Sequence, residues 1–255
     1  MPVFRKASTR APQWYFAWEA AGLRWLAEAG GGASVVPVVG VGADHLDLAR
    51  LTPTGPTRDA AERFGVALAR THLAGAPAYG SPPRRWAGDG FFGPLSDPLP
   101  LALHPHRQWS AFWAQERLAP ITQVCRDAGV FSAQDAAVLD DVAQRCADGR
   151  FDDGDPPSRI HGDLWSGNVL WTAEGATLID PSAHGGHREY DLAMLALFGA
   201  PHLPAILAAY QSVSPLADGW HERVGLHQLH ALAVHAVLFG SGYAALTLAT
   251  ARRYR

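Results

Sequence analysis

The stretch "HGDLWSGNVLW" (residues 161–171) contains Asn168, the only asparagine in the 255-residue chain. Lysine is equally scarce, since Lys6 is the only lysine among 21 lysine and arginine residues. A composition that has nearly abolished two residue types and keeps one of each indicates that these two side chains have roles that no other residue fills. We therefore take Asn168 and Lys6 as candidate functional residues.

The segment that follows Asn168 reads "NVLW-TAEGA-TLID", with apolar residues on both sides of a short polar loop, and this pattern predicts a β-hairpin. Asn168 and Asp180 are equally far from its midpoint, Glu174. An antiparallel pair of strands would therefore bring them within about 5 to 8 Å of each other. A carboxylate oxygen and a neutral amide oxygen suit Mg²⁺, which completes its coordination with water and substrate phosphates. The hairpin thus predicts a magnesium site.

Asp163 precedes Asn168 by five positions, in a loop after a short apolar segment that ends at Ile160. The order H-x-D-x-x-x-x-N, followed by an aspartate after a hairpin, is typical of a kinase catalytic loop, in which the first aspartate accepts the hydroxyl proton. Lys6 would then bind the α- and β-phosphates of ATP. Glu19 lies among apolar residues of a predicted helix, where an unpaired carboxylate would be costly, so a Lys6–Glu19 ion pair is predicted.

The remaining sequence predicts a short N-terminal part with strands and one helix, followed by a mainly helical part. Residues 52–56, "TPTGP", form a cluster of structure breakers and are the candidate hinge. The Gly- and Pro-rich residues 75–106 predict a long loop. The predicted strands cover residues 3–6, 34–42 and 45–51; the predicted helices cover residues 12–28, 57–74, 107–129, 132–148, 190–199, 202–211 and 219–249.

Composition excludes several classes of function. The formal net charge is −3 and the charges are interspersed, which disfavours a nucleic-acid partner. We find no apolar run of about 18 residues that could span a membrane, and the start lacks the apolar segment of a signal peptide. Cys125 and Cys146 lie in helix-like sequence and are expected to be reduced, which predicts a cytoplasmic location.

The stretch "HGDLWSGNVLW", followed by "LIDPSAHGGHREYDLAMLALFG", closely resembles the fructosamine kinase (ketosamine 3-kinase) family. That family belongs to the aminoglycoside phosphotransferase-like branch of the protein-kinase-like fold. The similarity extends through "GDGFFGPL", "QWSAFWAQERLAP" and "HQLHALAVHAVLFGSGY" to nearly the whole chain. The resemblance implies an α+β, protein-kinase-like fold with two lobes: a small, N-terminally truncated β-rich lobe (1–51), a hinge (52–56) and a larger, mainly helical lobe (57–255).

The resemblance also implies roles for single residues. Asp163 would be the catalytic base that orients a sugar hydroxyl, and Asn168 and Asp180 would bind Mg²⁺. Lys6, paired with Glu19, would bind ATP, and the segment "LARLTP" (48–53) would meet the adenine. His161 would brace the catalytic loop, and Asp191 would hydrogen-bond to the backbone of that loop.

Further residues are candidates for substrate contacts. Trp165, Trp220, Phe91 and Phe92 could stack on a sugar, although core packing is the favoured interpretation for each one individually. Arg188 could reach an anionic group, or form a salt bridge to Glu189 or Asp191. The histidines of "HGGH" (184–187) and "HQLH" (227–230) lack a metalloprotease motif or a cysteine cluster, so a zinc site is disfavoured. A hydrolase built on Ser166, His161 and Asp163 is disfavoured because the G-x-S-x-G elbow is missing.

The implied activity is ATP- and Mg²⁺-dependent phosphorylation of the 3-hydroxyl of a ketosamine, such as fructosamine or ribulosamine, which destabilises the adduct and allows deglycation. The expected partner is a small ketosamine or a glycated amine, and the expected state is a monomer. One alternative is a small-molecule kinase of the aminoglycoside or choline type. Another is a nucleotide-binding pseudokinase without catalysis.

One departure from the family concerns the N-terminus. Family members have two further strands and a glycine-rich phosphate loop before the lysine strand, whereas five residues precede Lys6 here. We expect that the recorded start lies inside a longer gene product. As written, the chain is then expected to bind ATP weakly or to turn over slowly, and restoring upstream codons should raise solubility and activity.

Overall fold

The computed structural model describes residues 2–255, apart from the side chain of Ser241. Regular structure begins with one strand and one helix and then alternates between short sheets and long helices. In chain order the elements are β1 (Val3–Ala7), α1 (Tyr15–Ala27), β2 (Ser34–Val35), β3 (Val38–Val41), β4 (His45–Ala49), α2 (Arg58–Leu73), β5 (Gly90–Phe92), β6 (Leu99–Leu101), α3 (Trp109–Phe112), α4 (Ala119–Asp127), α5 (Ala133–Ala147), β7 (Ser158–Ile160), β8 (Val169–Thr172), β9 (Gly175–Leu178), β10 (His184–Gly186), α6 (Arg188–Leu197), α7 (Leu203–Val213), α8 (Trp220–Phe239) and α9 (Ser241–Ala251).

The N-terminal sheet has the strand order β1-β4-β3 and is antiparallel. Leu46 and Leu48, which alternate along β4, are buried in a core shared with α1. The single strand predicted for residues 34–42 is wrong, because the structure has β2 and β3 on either side of Pro37. Proline lacks an N–H donor and interrupts a strand; β2 pairs instead with β9, in parallel.

The helical part confirms most of the predicted helices but corrects two of them. Residues 107–129 are not one regular helix, because a π-helical turn, Trp113–Leu118, separates α3 from α4. Residues 219–249 form α8 and α9, which meet at Gly240 with φ 91°, a backbone conformation that ends a helix. A capping box of Ser132 and Asp135 begins α5.

The predicted long loop, residues 75–106, contains a short antiparallel pair, β5 and β6. Within residues 2–255, every helix is too short or too polar to cross a lipid bilayer. The strand β7 and the hairpin β8–β9 flank the predicted catalytic residues: Asp163 lies in the loop after β7, Asn168 directly before β8 and Asp180 two residues after β9. The functional residues thus lie in short connections that adjoin these strands.

Candidate active site

A cleft of about 370 Å³ contains the predicted catalytic residues. One half of its wall is charged or polar, and the other half is apolar and aromatic. The charged and amide residues of the polar half are Lys6, Glu19, Asp163, Asn168 and Asp180. A larger surface groove of about 700 Å³ between α2 and α7 contains none of the predicted site residues, so the chemistry points to the smaller cleft.

The hairpin β8–β9 brings Asn168 close to Asp180, as predicted, but its register is centred between residues 173 and 174 rather than on Glu174, so Ile179 lies opposite Asn168. The strands pair with Val169 opposite Leu178, and the backbone N–H of Ile179 donates to the carbonyl oxygen of Asn168 at 3.1 Å. Asn168 Nδ2 donates to the carbonyl oxygen and to Oδ2 of Asp163, at 2.8 and 3.1 Å. It also lies 3.4 Å from the carbonyl oxygen of Asp180. One buried amide therefore links the loop of Asp163 to the end of the hairpin.

Asp180 has an unusual backbone conformation at the end of this hairpin. Its φ is 52°, in the left-handed region that residues other than glycine rarely adopt. The side chain is 42% exposed, and Oδ1 lies 3.2 Å from Lys6 Nζ. Strained residues of this kind are concentrated at functional sites, where the surrounding structure holds them in place.

Lys6 and Glu19 form the ion pair that burial of the glutamate predicts. Lys6 Nζ lies 2.7 Å from Glu19 Oε2, and the Glu19 side chain is only 2% exposed. Burial lowers the pKa of Lys6, but the nearby carboxylates of Glu19 and Asp180 outweigh it and hold the pKa above its ordinary value. Glu19 Oε1 is buried and has no hydrogen-bond partner within residues 2–255.

Asp191 holds the loop that contains Asp163 by accepting hydrogen bonds from its backbone. The backbone N–H groups of His161 and Gly162 donate to the two oxygens of the Asp191 carboxylate, at 2.7 and 3.0 Å. The imidazole of His161 donates from Nε2 to the carbonyl oxygen of Ile179 at 2.9 Å and accepts at Nδ1 from the Asp163 N–H at 3.2 Å. His161 and Asp191 thus occupy the supporting positions that the resemblance assigns to them.

The electrostatics of the cleft are set by burial and by neighbouring carboxylates. Burial raises the pKa of Asp163 to about 7; the hydrogen bond from Asn168 opposes this shift and the charge of Asp180 adds to it. The cleft places three carboxylates beside one ammonium group. A site with this excess of negative charge can attract a cation or a positively charged group.

The other half of the cleft is a row of aromatic rings, here called the aromatic shelf: Trp165, Phe198, His235 and Phe239. Ring centroids are 5.9 Å apart between Trp165 and Phe198, 5.1 Å between Phe198 and His235, and 5.4 Å between His235 and Phe239. Phe91 and Phe92 also line the cleft. The sequence analysis missed Phe198, His235 and Phe239, because Phe198 directly follows α6 whereas His235 and Phe239 lie in α8, and they have no shared local pattern.

For two residues, Arg188 and Trp220, the predicted contact with substrate is wrong. Arg188 lies outside the cleft, where Nε and Nη2 donate to the Asp155 carboxylate at 2.5 and 2.9 Å and Nη1 donates to Ser214 Oγ at 2.6 Å. Its partner is therefore neither Glu189 nor Asp191, since the first turn of α6 packs against the segment that contains Asp155. Trp220 stacks on His221 at the start of α8, with centroids 3.6 Å apart, and does not line the cleft.

His187 and His227, from the two histidine motifs, lie beside Glu189, with potential ligand atoms within 4.8 Å of one another. Arg223 donates to Glu189 at 2.9 Å and to Asp153 at 2.7 Å in the same cluster. We call this cluster the buried ion network; its members are Asp153, Asp155, His187, Arg188, Glu189, Arg223 and His227. Each of its carboxylates pairs with an arginine, whereas the carboxylates of the cleft share the ammonium group of Lys6.

Comparisons with known proteins agree with this geometry. A sequence model described as Fructosamine kinase matches residues 1–253. The chain is 34% identical over 197 residues to a Vibrio parahaemolyticus protein named "Probable ketoamine kinase", a match that covers 75% of this chain and 62% of the relative's length. Because the match spans less than two thirds of the relative's length, the activity of the whole relative can only be proposed for this chain.

Solved structures support the same assignment. A Thermobifida fusca structure, described as a "putative fructosamine-3-kinase", is 44% identical with a TM-score of 0.90, and the match covers 99% of this chain and 85% of that chain. A structure named "Macrolide 2'-phosphotransferase type I" is 19% identical with a TM-score of 0.61, covering 97% of this chain and 82% of the other, and shows the kinase-like α+β fold alone. The chain belongs to the fructosamine kinase family.

Proposed function

We propose that this chain transfers the terminal phosphoryl group of ATP to a hydroxyl, the 3-hydroxyl, of a ketosamine such as fructosamine or ribulosamine. Such a reaction would serve deglycation. Membership of the fructosamine kinase family supports the class of substrate. The observation that carries the proposal is the meeting of Asp163, Asn168, Asp180 and the Lys6–Glu19 pair around one cleft.

The chemistry follows from the positions of these groups. Asp163 accepts the proton of the substrate hydroxyl as its oxygen forms a bond to the γ-phosphorus. The bond from that phosphorus to the oxygen bridging the β- and γ-phosphates breaks, and ADP leaves with the bonding electrons. Lys6, held by Glu19, pairs with the phosphates of ATP. Phosphoryl transfer needs mainly alignment and charge stabilisation, which such an arrangement provides.

The polar half of the cleft fits a divalent cation. Asn168 uses Nδ2 to hold Asp163, so its amide oxygen is the group left for a ligand. Asp180 offers a half-exposed carboxylate, and the buried Glu19 Oε1 lacks a partner within residues 2–255. Asn168 and Asp180 would hold Mg²⁺, which when bound neutralises phosphate charge. ATP and Mg²⁺ are accordingly the proposed cofactors.

The substrate is proposed to lie with its sugar hydroxyl at Asp163 and its amine-borne group on the aromatic shelf. Aromatic faces attract both apolar groups and cations such as a secondary ammonium. Trp165 follows Asp163 by two residues in the chain, and its ring packs against that of Phe198. The ligand is thus a small ketosamine or a glycated amine.

The proposed lobes are residues 1–51 and 57–255, with residues 52–56 as the hinge and the backbone near residues 48–53 meeting the adenine. The backbone N–H of Thr54 donates to the carbonyl oxygen of Trp171 at 2.8 Å, which ties this segment to the catalytic hairpin. A monomer located in the cytoplasm completes the proposal.

A substrate panel tests the proposed function. ATP consumption would be measured with a synthetic ribulosamine, a fructosamine, an aminoglycoside and choline, and ³¹P–¹H correlation NMR would locate the phosphate on the product. We expect consumption with the ketosamines and a phosphate on the 3-oxygen. Consumption with the aminoglycoside or choline alone would replace this function with the alternative kinase class. ATP that is bound but never consumed would indicate a pseudokinase.

A further inference from the structure

Arg117 is a buried cation that the proposed chemistry does not use. Its side chain lies in the π-helical turn between α3 and α4 and is only 2% exposed. Within residues 2–255, its hydrogen bonds go to the carbonyl oxygens of Ala102 and Glu116, at 2.9 and 2.8 Å, and to an imidazole nitrogen of His184 at 3.1 Å. Its guanidinium also lies 4.5 Å from the centre of the Phe112 ring. Burying a guanidinium on such neutral partners is costly.

The π-helical turn explains why Arg117 points inward. A π-turn contains one residue more than an α-turn, and this extra residue rotates the following positions by about 100° around the helix axis. Arg117 and Leu118 are therefore buried, whereas the neighbouring Glu116 contacts His104 and His106 near the surface. Such insertions are frequent at functional sites.

Arg117 fixes the hydrogen-bonding state of His184. Because Arg117 Nη2 donates to His184 Nε2, that nitrogen must be the acceptor, and the imidazole proton lies on Nδ1. His184 Nδ1 then donates to the carbonyl oxygen of Ser182 at 2.7 Å. Burial, together with the charge of Arg117, lowers the pKa of His184 to about 3, so the ring is neutral at physiological pH.

Ser182 connects this pair to Asp163 and Asp180. It follows Asp180 by two residues, and its carbonyl oxygen packs against Gly162, the residue before Asp163. A Cβ atom on Gly162 would lie only 2.1 Å from the Ser182 oxygen, and the backbone there has φ 79°. The close approach means that the position of the Ser182 carbonyl limits where the catalytic loop can lie. Ser182 Oγ also donates to the carbonyl oxygen of Phe91 in the cleft wall.

We propose that Arg117 is a positioning residue for phosphoryl transfer, because through His184 and Ser182 it sets the spacing between Asp163 and Asp180. It touches neither substrate nor the reacting atoms. The inference rests on the proposed function, and it assigns a role to the "QWSAFWAQERLAP" motif that the catalytic residues leave unexplained. Without Arg117, the ring of His184 can change tautomer or turn over, and the Ser182 carbonyl loses its fixed donor.

Arg159 offers a matched control for the test. It is also a buried arginine whose side chain donates to a carbonyl oxygen, that of Trp25, and lies 4.7 Å from an aromatic ring centre. That side chain points to α1 and makes none of the contacts of the Arg117–His184–Ser182 series. Arg117→Met and Arg159→Met therefore remove the same group from similar surroundings.

The two variants are compared by steady-state kinetics at a temperature where circular dichroism shows both to be folded. We expect Arg117→Met to lower kcat by about 10- to 100-fold, since small misplacements of reacting groups have effects of this size, with KM for ATP changed less than twofold. Arg159→Met should keep kcat within about threefold. Arg117→Lys retains one donor and should recover part of the loss. Equal kcat values for the two methionine variants would overturn the proposal.

A second measurement does not depend on activity. The imidazole ¹⁵N shifts of His184 should show a protonated Nδ1 in the wild type and a changed tautomer in Arg117→Met, or in Arg117→Lys if the methionine variant does not fold. A proton on Nε2 of the wild type would also overturn the proposal. A wild type that phosphorylates no ketosamine would instead refute the proposed function, so the two failures are distinguishable.

Discussion

The cleft and the buried ion network each contain three carboxylates, but the two regions differ in the cations that accompany those carboxylates. In the network, Arg188 donates to Asp155, while Arg223 donates to both Asp153 and Glu189. Each carboxylate of the network thus has a guanidinium partner. In the cleft, one ammonium group, that of Lys6, faces the carboxylates of Glu19, Asp163 and Asp180.

The difference separates a structural role from a functional one. Paired charges inside a protein need no ligand, and breaking such a pair leaves an uncompensated buried charge. In the cleft, burial raises the pKa of Asp163 and the charge of Asp180 adds to this shift, and the repulsion between the carboxylates is relieved when a cation arrives. Substitutions in the cleft should therefore affect activity, and substitutions in the network should affect stability.

Asp163→Asn should have the largest effect, because it removes the proposed proton acceptor. We expect kcat to fall by about 10²- to 10⁴-fold, the usual contribution of a general base. The free energy of unfolding should be unchanged or higher, since a buried carboxylate is replaced by a neutral group, and MgATP should still bind. Full turnover by this variant would show that the assigned base is wrong.

Arg223→Met should show the reverse behaviour. Removing the guanidinium leaves Glu189 and Asp153 without their shared partner, so the free energy of unfolding should fall by about 3 to 5 kcal/mol. Urea denaturation measures this loss. The kcat of the folded fraction should stay near that of the wild type. A variant that is stable but inactive would break the proposed distinction between the two regions.

His230 extends the comparison to the pH dependence of stability. It is a buried base that has no oppositely charged partner within residues 2–255. Burial lowers its pKa well below 6.5, so the folded protein keeps it neutral while the unfolded chain takes up a proton as the pH falls below that value. Acidification from pH 7 to pH 5 should therefore lower the unfolding free energy at this residue, by at most about 2 kcal/mol.

His230→Phe isolates that contribution in denaturation experiments at both pH values. Glu19 and Asp163, whose pKa values burial raises, oppose the effect but are present in both proteins, so they cancel in the difference. The fall in unfolding free energy should be smaller for the variant than for the wild type, by at most about 2 kcal/mol. Parallel pH dependences would show that His230 is not held neutral.

Phe239→Ala should have the smallest effect. The side chain is 65% exposed at the end of the aromatic shelf, so its loss should hardly change stability. We expect KM for a ketosamine to rise about 3- to 10-fold, with kcat nearly constant. Leu73→Ala is the control, because Leu73 is 62% exposed at the end of α2, outside the cleft lining. Equal KM values in both variants would remove Phe239 from the proposed substrate site.

The sequence alone predicted those parts of the site in which the contacts between residues are local. Asn168 and Asp180 meet because a hairpin of fixed register joins them, and Asp163 lies within five residues of the same amide. Glu19 is separated from Lys6 by thirteen residues, but its apolar surroundings required a cation. These features follow from short-range spacing and from the cost of an unpaired buried charge.

Other features depend on tertiary contacts that no local pattern reports. The sequence offers an anionic ligand, Glu189 or Asp191 as the partner of Arg188, whereas the actual partner, Asp155, lies 33 residues away. Arg117 and His184 are 67 residues apart, and only the π-helical turn makes them partners. The division of residues 219–249 into two helices depends on the backbone of Gly240, which a helical periodicity of apolar residues does not reveal.

The most direct test of the excess negative charge in the cleft is calorimetric titration with ATP, in the presence and absence of Mg²⁺, for the wild type and Asp180→Asn. The predicted result is that Mg²⁺ strengthens ATP binding by about tenfold or more in the wild type, a usual size for coupling between two ligands, and much less in the variant. Binding of ATP that is equally strong with and without Mg²⁺ in the wild type would contradict the account.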